Sequence, residues 1–173
     1  MEKRENITLR VAGVVRESIV DGKGIRFTIF CQGCPHHCPG CHNPQTHDFF
    51  GGSLLSLGHI IEEIAKDPLL MGVTFSGGEP FCQAGAFAAL ADMVHELPGG
   101  LDVTCYSGWT YEQLLEKAEK EPDVKALLEK VDYLIDGPFI LAQRDLTLRF
   151  RGSRNQRFLD MNRTRSEGKL VEV

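Results

Sequence analysis

Residues 25–41, IRFTIFCQGCPHHCPGC, decide how this chain is read. Ile25 to Phe30 is an apolar, β-branched and aromatic run that reads as a strand, and a loop holding Cys34, Cys38 and Cys41 follows at once. The spacing is C-x3-C-x2-C. A 4Fe–4S cluster that only carries electrons takes four cysteine thiolates. Three thiolates leave one iron open to a small molecule, so the spacing points to a reactive cluster. Cys31 keeps a rival alive, because Cys31, Cys34, Cys38 and Cys41 offer four sulfurs to a tetrahedral zinc ion. Zinc-binding cysteine pairs, however, are usually set a dozen or more residues apart. Cys31 also continues the alternation of Phe27 and Ile29, which predicts a packed side chain.

Working outward, strands and helices alternate. Ile7, Leu9 and Val11 read as a half-buried strand, and Asp21-Gly22-Lys23-Gly24 as a turn into the strand already described. Leu57, Ile60, Ile61 and Ile64 recur at helical spacing, and Met71 to Phe75 is a strand ending in Ser76-Gly77-Gly78-Glu79-Pro80. Phe87, Leu90, Ala91 and Val94 mark a helix stopped by Pro98-Gly99-Gly100, before a strand from Leu101 to Tyr106. Thr110 and Gln113 form a capping box, Pro122 breaks that helix, and a short helix from about Asp123 leads into the strand Val131 to Ile135. Asp136-Gly137-Pro138 ends that strand, and Arg157 to Met161 reads as a last one.

Such alternation predicts a mostly parallel α/β sheet. The cysteine loop, Ser76–Pro80, Ser107-Gly108 and Asp136-Gly137-Pro138 each follow a predicted strand, and in a β/α barrel such loops converge on one face. A closed eight-fold barrel needs about 250 residues. With 173 residues, the expectation is one domain, residues 1–173, folded as a truncated, open partial TIM barrel whose gap admits a large substrate.

Composition narrows the setting. The chain is 42% hydrophobic and 25% charged, with a formal net charge of −5 that argues against general nucleic-acid binding. No stretch approaches the roughly 18 apolar residues of a membrane span. Met1-Glu2-Lys3-Arg4-Glu5-Asn6 lacks the apolar core of a secretory signal. Six cysteines, three of them in one loop, then point to a reducing cytoplasm and to metal rather than disulfides. Charge is uneven: Arg144 to Arg165 holds seven arginines against Asp145 and Asp160, a local +5 that leaves −10 elsewhere. That segment reads equally as a docking surface for an acidic or phosphate-bearing partner and as a solvated edge.

Other polar residues carry weaker signals. His36 and His37 read as solvated loop residues, and His59 and His95 as ordinary helix positions. Ser107 and Gly108 either touch a ligand or enter a helix, and Asp136 either binds a hydroxyl or cation or caps a turn. Cys105 reads as core, and Cys82 stays open.

C-x3-C-x2-C resembles the signature of the radical S-adenosylmethionine (SAM) enzymes. The resemblance implies a 4Fe–4S cluster on Cys34, Cys38 and Cys41, with SAM on the free iron. Gly77-Gly78-Glu79 is similar to the superfamily's GGE segment, which holds the methionine amino group. Gly40 stands where an aromatic residue often sits, so Gly40, Cys41 and His42 are expected near the adenine and Gly77, Gly78 and Glu79 near the amino acid moiety. Asp21-Gly22-Lys23-Gly24-Ile25-Arg26 resembles the DGPGIR segment of glycyl-radical-enzyme activases, with Lys23 in place of proline. Cys38-Pro39-Gly40-Cys41-His42-Asn43-Pro44, Asp136-Gly137-Pro138-Phe139 and the stretch Leu148 to Arg157 look like segments of anaerobic ribonucleotide reductase activating proteins.

That family implies an activase that cleaves SAM reductively and places a glycyl radical on anaerobic ribonucleotide reductase, with electrons from a low-potential donor such as flavodoxin. No nucleic-acid or membrane partner is implied. The alternatives are an activase of a pyruvate formate-lyase type of enzyme, a small-molecule radical SAM enzyme, and a non-catalytic binding module in which four cysteines hold zinc or an iron–sulfur centre.

Overall fold

Three segments share one alternation: Arg26-Phe27-Thr28-Ile29-Phe30-Cys31, Gly72-Val73-Thr74-Phe75-Ser76-Gly77 and Asp102-Val103-Thr104-Cys105-Tyr106. Successive strand side chains point to opposite faces, so each segment has an apolar face and a mainly polar one, with Phe30 the large apolar side chain on the polar side. A computed structural model describes residues 3–173 and pairs these segments as parallel neighbours. The elements in chain order are β1 (Thr8–Ser18), β2 (Arg26–Cys31), β3 (Ser53–Ser56), α1 (Leu57–Ala65), β4 (Gly72–Gly77), α2 (Ala84–Glu96), β5 (Asp102–Tyr106), α3 (Tyr111–Lys120), α4 (Pro122–Lys130), β6 (Tyr133–Asp136), β7 (Arg157–Asp160) and α5 (Met161–Glu167).

The sheet runs β3-β1-β2-β4-β5-β6-β7. β2, β4, β5 and β6 are parallel and joined by helical crossovers, which makes the centre a partial, open β/α barrel. β1 and β3 on one side and β7 on the other are antiparallel additions. The expectation of a mostly parallel sheet therefore holds for the central strands only. β3 and α5 had no counterpart in the sequence reading.

The apolar row Ile29, Phe75, Cys105 and Leu134 runs across the registered strands on the outer face. Helices cover it: the rings of Phe75 and of Phe87 on α2 lie 4.4 Å apart, and Leu57, Ile60, Leu90, Leu114 and Leu127 are fully buried in the same core. Each such side chain contributes about 1.5–3 kcal/mol when fully removed from water. The opposite row, Thr28, Thr74, Thr104 and Tyr133, faces the barrel interior. Arg26 lies entirely buried at the start of β2, where it donates to Thr74 Oγ1 (2.7 Å), Thr104 Oγ1 (3.0 Å), Val73 O (3.0 Å) and Lys23 O (2.8 Å) and pairs with Asp102. Among the described residues no helix is long and apolar enough to cross a membrane.

Candidate active site

Because β2, β4, β5 and β6 are parallel, their following loops meet at one end of the sheet. The loop after β2 is drawn closed: Gly33 N donates to Thr46 O (2.7 Å), Cys34 N to His47 O (3.2 Å), and the buried Gln32 side chain to the carbonyls of Gln45 (2.9 Å) and Asp48 (2.6 Å). Between those anchors run Cys34, Cys38 and Cys41. All three line one cavity of about 430 Å³, together with His42, Gly77, Gly78, Ser107 and Gly108.

The Gly77-Gly78 turn is packed onto the root of the cysteine loop. Gly78 N donates to Cys31 O (2.9 Å) and Glu79 N to Gly33 O (2.8 Å). A Cβ on Gly78 would sit 2.3 Å from Gly33 O, and one on Gly77 2.4 Å from Cys31 N. Only bare backbone permits that approach, and it leaves the turn's peptide groups at the cavity wall. Gly40 does not line the cavity. Its φ of 74° shapes the turn before Cys41, and its Cα faces Leu141 and Phe139. The His42 ring lies 5.1 Å from that of Phe139.

Glu79 was expected to face SAM, but its side chain is directed elsewhere. It is fully buried, and its carboxylate accepts from Phe81 N (3.0 Å), Gly108 N (2.8 Å) and Ser107 Oγ (3.0 Å to each oxygen), with His36 Nε2 at 2.6 Å. His36 is accordingly no solvated loop residue: its ring also packs edge-on against Trp109 with centroids 4.6 Å apart. The carboxylate thus ties the cysteine loop to the loops after β4 and β5. Asp136 does not line the cavity either. It accepts from Tyr111 N (2.7 Å) at the start of α3 and pairs with Arg157.

The donor set fits an iron–sulfur cluster. Three thiols on one cavity wall are the donors such a cluster takes, and N–H groups point at two of them, from Asn43 N to Cys41 Sγ (3.4 Å) and from the His36 backbone to Cys34. Such hydrogen bonds tune cluster potential. Burial pushes the Cys34 thiol up to about 11, so metal binding there would release its proton. Cys31 and Cys105 stand apart, buried in the core, with thiols pushed well up by burial and then by the Glu79 carboxylate. The four-sulfur zinc set loses its fourth member to that core. Two further groups escaped the sequence reading: His47 Nε2 and Arg151 Nε are buried without a partner, and both residues line the cavity. Tyr106 and Phe139 line it as well.

Known proteins share this arrangement of sequence. Residues 20–159 match the family described as 4Fe-4S single cluster domain. Over 150 residues, 80% of this chain and 89% of the other, the chain is 33% identical to the anaerobic ribonucleoside-triphosphate reductase-activating protein of Vibrio cholerae serotype O1. The chain belongs to that activating-protein family. The Pasteurella multocida member of the family is 34% identical over 147 residues, again 80% of this chain and 89% of its own. A pyruvate formate-lyase-activating enzyme of Clostridium pasteurianum is 31% identical over 117 residues, which cover 64% of this chain and 49% of that enzyme. Family membership implies a 4Fe–4S cluster for this chain.

Proposed function

We propose that this chain, as one domain over residues 1–173, is a radical SAM activase that generates a glycyl radical on an anaerobic ribonucleoside-triphosphate reductase. The observation that carries the reading is the convergence of Cys34, Cys38, Cys41, Gly77 and Gly78 on one cavity at the ends of parallel strands. When bound, the cluster and SAM supply a one-electron cleavage whose adenosyl radical takes a hydrogen atom from a glycine Cα.

The chain's own residues do the rest. Cys34, Cys38 and Cys41 hold the cluster and leave one iron for SAM. The peptide groups of Gly77 and Gly78 receive the methionine end and His42 and Cys41 the adenine, while Gly40 shapes the turn before Cys41 from outside the cavity. Glu79 acts at one remove, by fixing the loops that carry those groups. The open side of the barrel leaves room for a polypeptide loop as substrate. The electron comes from a low-potential donor such as flavodoxin, in the cytoplasm.

Anaerobic EPR tests this. The reconstituted protein, SAM, a reductant and the reductase should give a glycyl-radical doublet together with 5′-deoxyadenosine. A doublet formed instead on a pyruvate formate-lyase type of partner would redirect the assignment. Neither signal in a cluster-loaded protein would reject it.

A further inference from the structure

The arginines that make the C-terminal part basic are not spread evenly. Arg144, Arg149, Arg151 and Arg154 belong to one hairpin-like loop, which holds a single acidic residue, Asp145. Its two arms are tied: Arg144 and Ser153 form an antiparallel bridge, Asp145 N donates to Gly152 O (3.2 Å), and Arg154 N donates to Gln143 O (2.9 Å). Its tip reaches the cavity, which Leu148, Phe150, Arg151 and Gly152 help to line. Tyr106 fixes the tip from below, its hydroxyl donating to Phe150 O (2.6 Å) while Phe150 holds a left-handed φ of 64°. The root of the loop meets the cysteine loop where Leu141 packs beside Gly40.

Other arginines of the region are engaged. Arg157 pairs with Asp136 and Glu112, Arg163 with Glu167, and Arg165 donates to the carbonyls of Leu128 and Val131. Among the described residues, no carboxylate forms an ion pair with Arg144, Arg149, Arg151 or Arg154. Asp145 accepts instead from Thr147 N (2.9 Å) and Oγ1 (2.6 Å), with Arg154 near enough to help hold its carboxyl below the usual range. The Arg149 guanidinium lies 4.9 Å from the Phe150 ring centroid. Leu146, between these arginines, is 80% exposed.

We infer that this loop is a docking arm for an acidic segment of the protein substrate, and that it delivers the neighbouring backbone to the cavity mouth. The inference rests on the function proposed above. Its physical basis is charge asymmetry. The loop Arg144–Arg154 holds four arginines and one aspartate, a net +3, and the rest of the chain carries −8, so an acidic partner is repelled from most of the surface and drawn to the loop whose tip lines the cavity. Polyanions such as nucleotides share the carboxylates' charge, but the exposed Leu146 among the arginines suits a polypeptide, which brings apolar groups as well.

The test compares the cluster-loaded protein with R144Q/R149Q/R154Q, which changes exposed side chains outside the cavity lining, and with the charge-retaining R144K/R149K/R154K. Three readouts are taken: binding to the reductase at low and high salt, glycyl-radical yield against reductase concentration, and 5′-deoxyadenosine formed without any partner. The Gln variant should bind the reductase about tenfold more weakly at low salt and lose most of the salt dependence, whereas the Lys variant should keep both. Partner-free SAM cleavage should be the same in all three proteins. Equal reductase binding and equal salt dependence in the Gln variant would overturn the docking arm while leaving the activase reading intact. Loss of MgATP binding in the Gln variant with reductase binding unchanged would also overturn it, in favour of a nucleotide. An unaltered protein that neither binds nor activates the reductase would remove both readings.

Discussion

At the scale of single residues, Glu79 is the most constrained group next to the reactive cavity. Three segments depend on its carboxylate, through His36, Phe81 and the pair Ser107 and Gly108. Glu79→Gln keeps the shape but turns one acceptor into a donor that faces N–H groups. An unsatisfied buried polar group costs about 1–3 kcal/mol, more when a charge was involved. The variant should therefore lose about 2–3 kcal/mol in urea unfolding of the apo-protein and retain iron poorly on gel filtration. Cys38→Ala belongs to the opposite class. Cys38 is only half-buried and makes no tie between segments, so its loss should abolish SAM cleavage while the far-ultraviolet dichroism and unfolding midpoint of the apo-protein stay near those of the parent. Full 5′-deoxyadenosine production by that variant would overturn its place in the ligand set.

Among elements, α3 was the most legible. Thr110 and Gln113 form the reciprocal capping box at the start of α3 that the sequence announces, with Gln113 N donating to Thr110 Oγ1 (3.2 Å) and Thr110 N to Gln113 Oε1 (2.9 Å). Thr110→Ala should cost about 1 kcal/mol, seen as a lowered unfolding midpoint with SAM cleavage unchanged. Strand direction was less legible, because an apolar run states that a strand exists but not which neighbour it finds. β1 and β7 lie antiparallel beside β2 and β6 through pairings that no local signal encodes. β3 escaped altogether: Ser53-Leu54-Leu55-Ser56 is a short edge strand with no fully buried residue and hence no clear alternation. The cysteines and the Gly-Gly turn were readable because each needs a fixed residue type at a fixed spacing. The role of His36 was not, since its partner lies 43 positions away on another loop. The threonine row inside the barrel had no sequence reading of its own, because its meaning depends on which strands pair and which face the helices cover.

For the whole molecule, the sheet has an apolar outer face covered by helices and a polar inner one. Arg26 is the main fastening of the inner face, and it is linked to the cavity wall, because its partner Thr74 donates to the carbonyl of Asp21 (2.7 Å), a lining residue. Arg26→Met removes a buried cation and leaves Asp102, Thr74, Thr104 and two backbone carbonyls without their donor. Losing one partner of a buried ion pair costs about 3–5 kcal/mol, and the lower figure applies here because Asp102 is partly exposed. A fall of about 3 kcal/mol in unfolding free energy is expected, read by urea unfolding of the apo-protein. An unfolding free energy equal to the parent's would show that Arg26 does not fasten the inner face.

The Glu79 tie also dictates an order of events in the life of the chain. It joins His36, Glu79 and Ser107, separated by 43 and 28 positions, so it closes only after β2, β4 and β5 have found one another. Until then the cysteine loop has its own local ties but lacks the wall supplied by the loops after β4 and β5. A chain that takes up a cluster only once this sheet has formed should accordingly reconstitute faster from folded apo-protein than from a chain diluted out of denaturant.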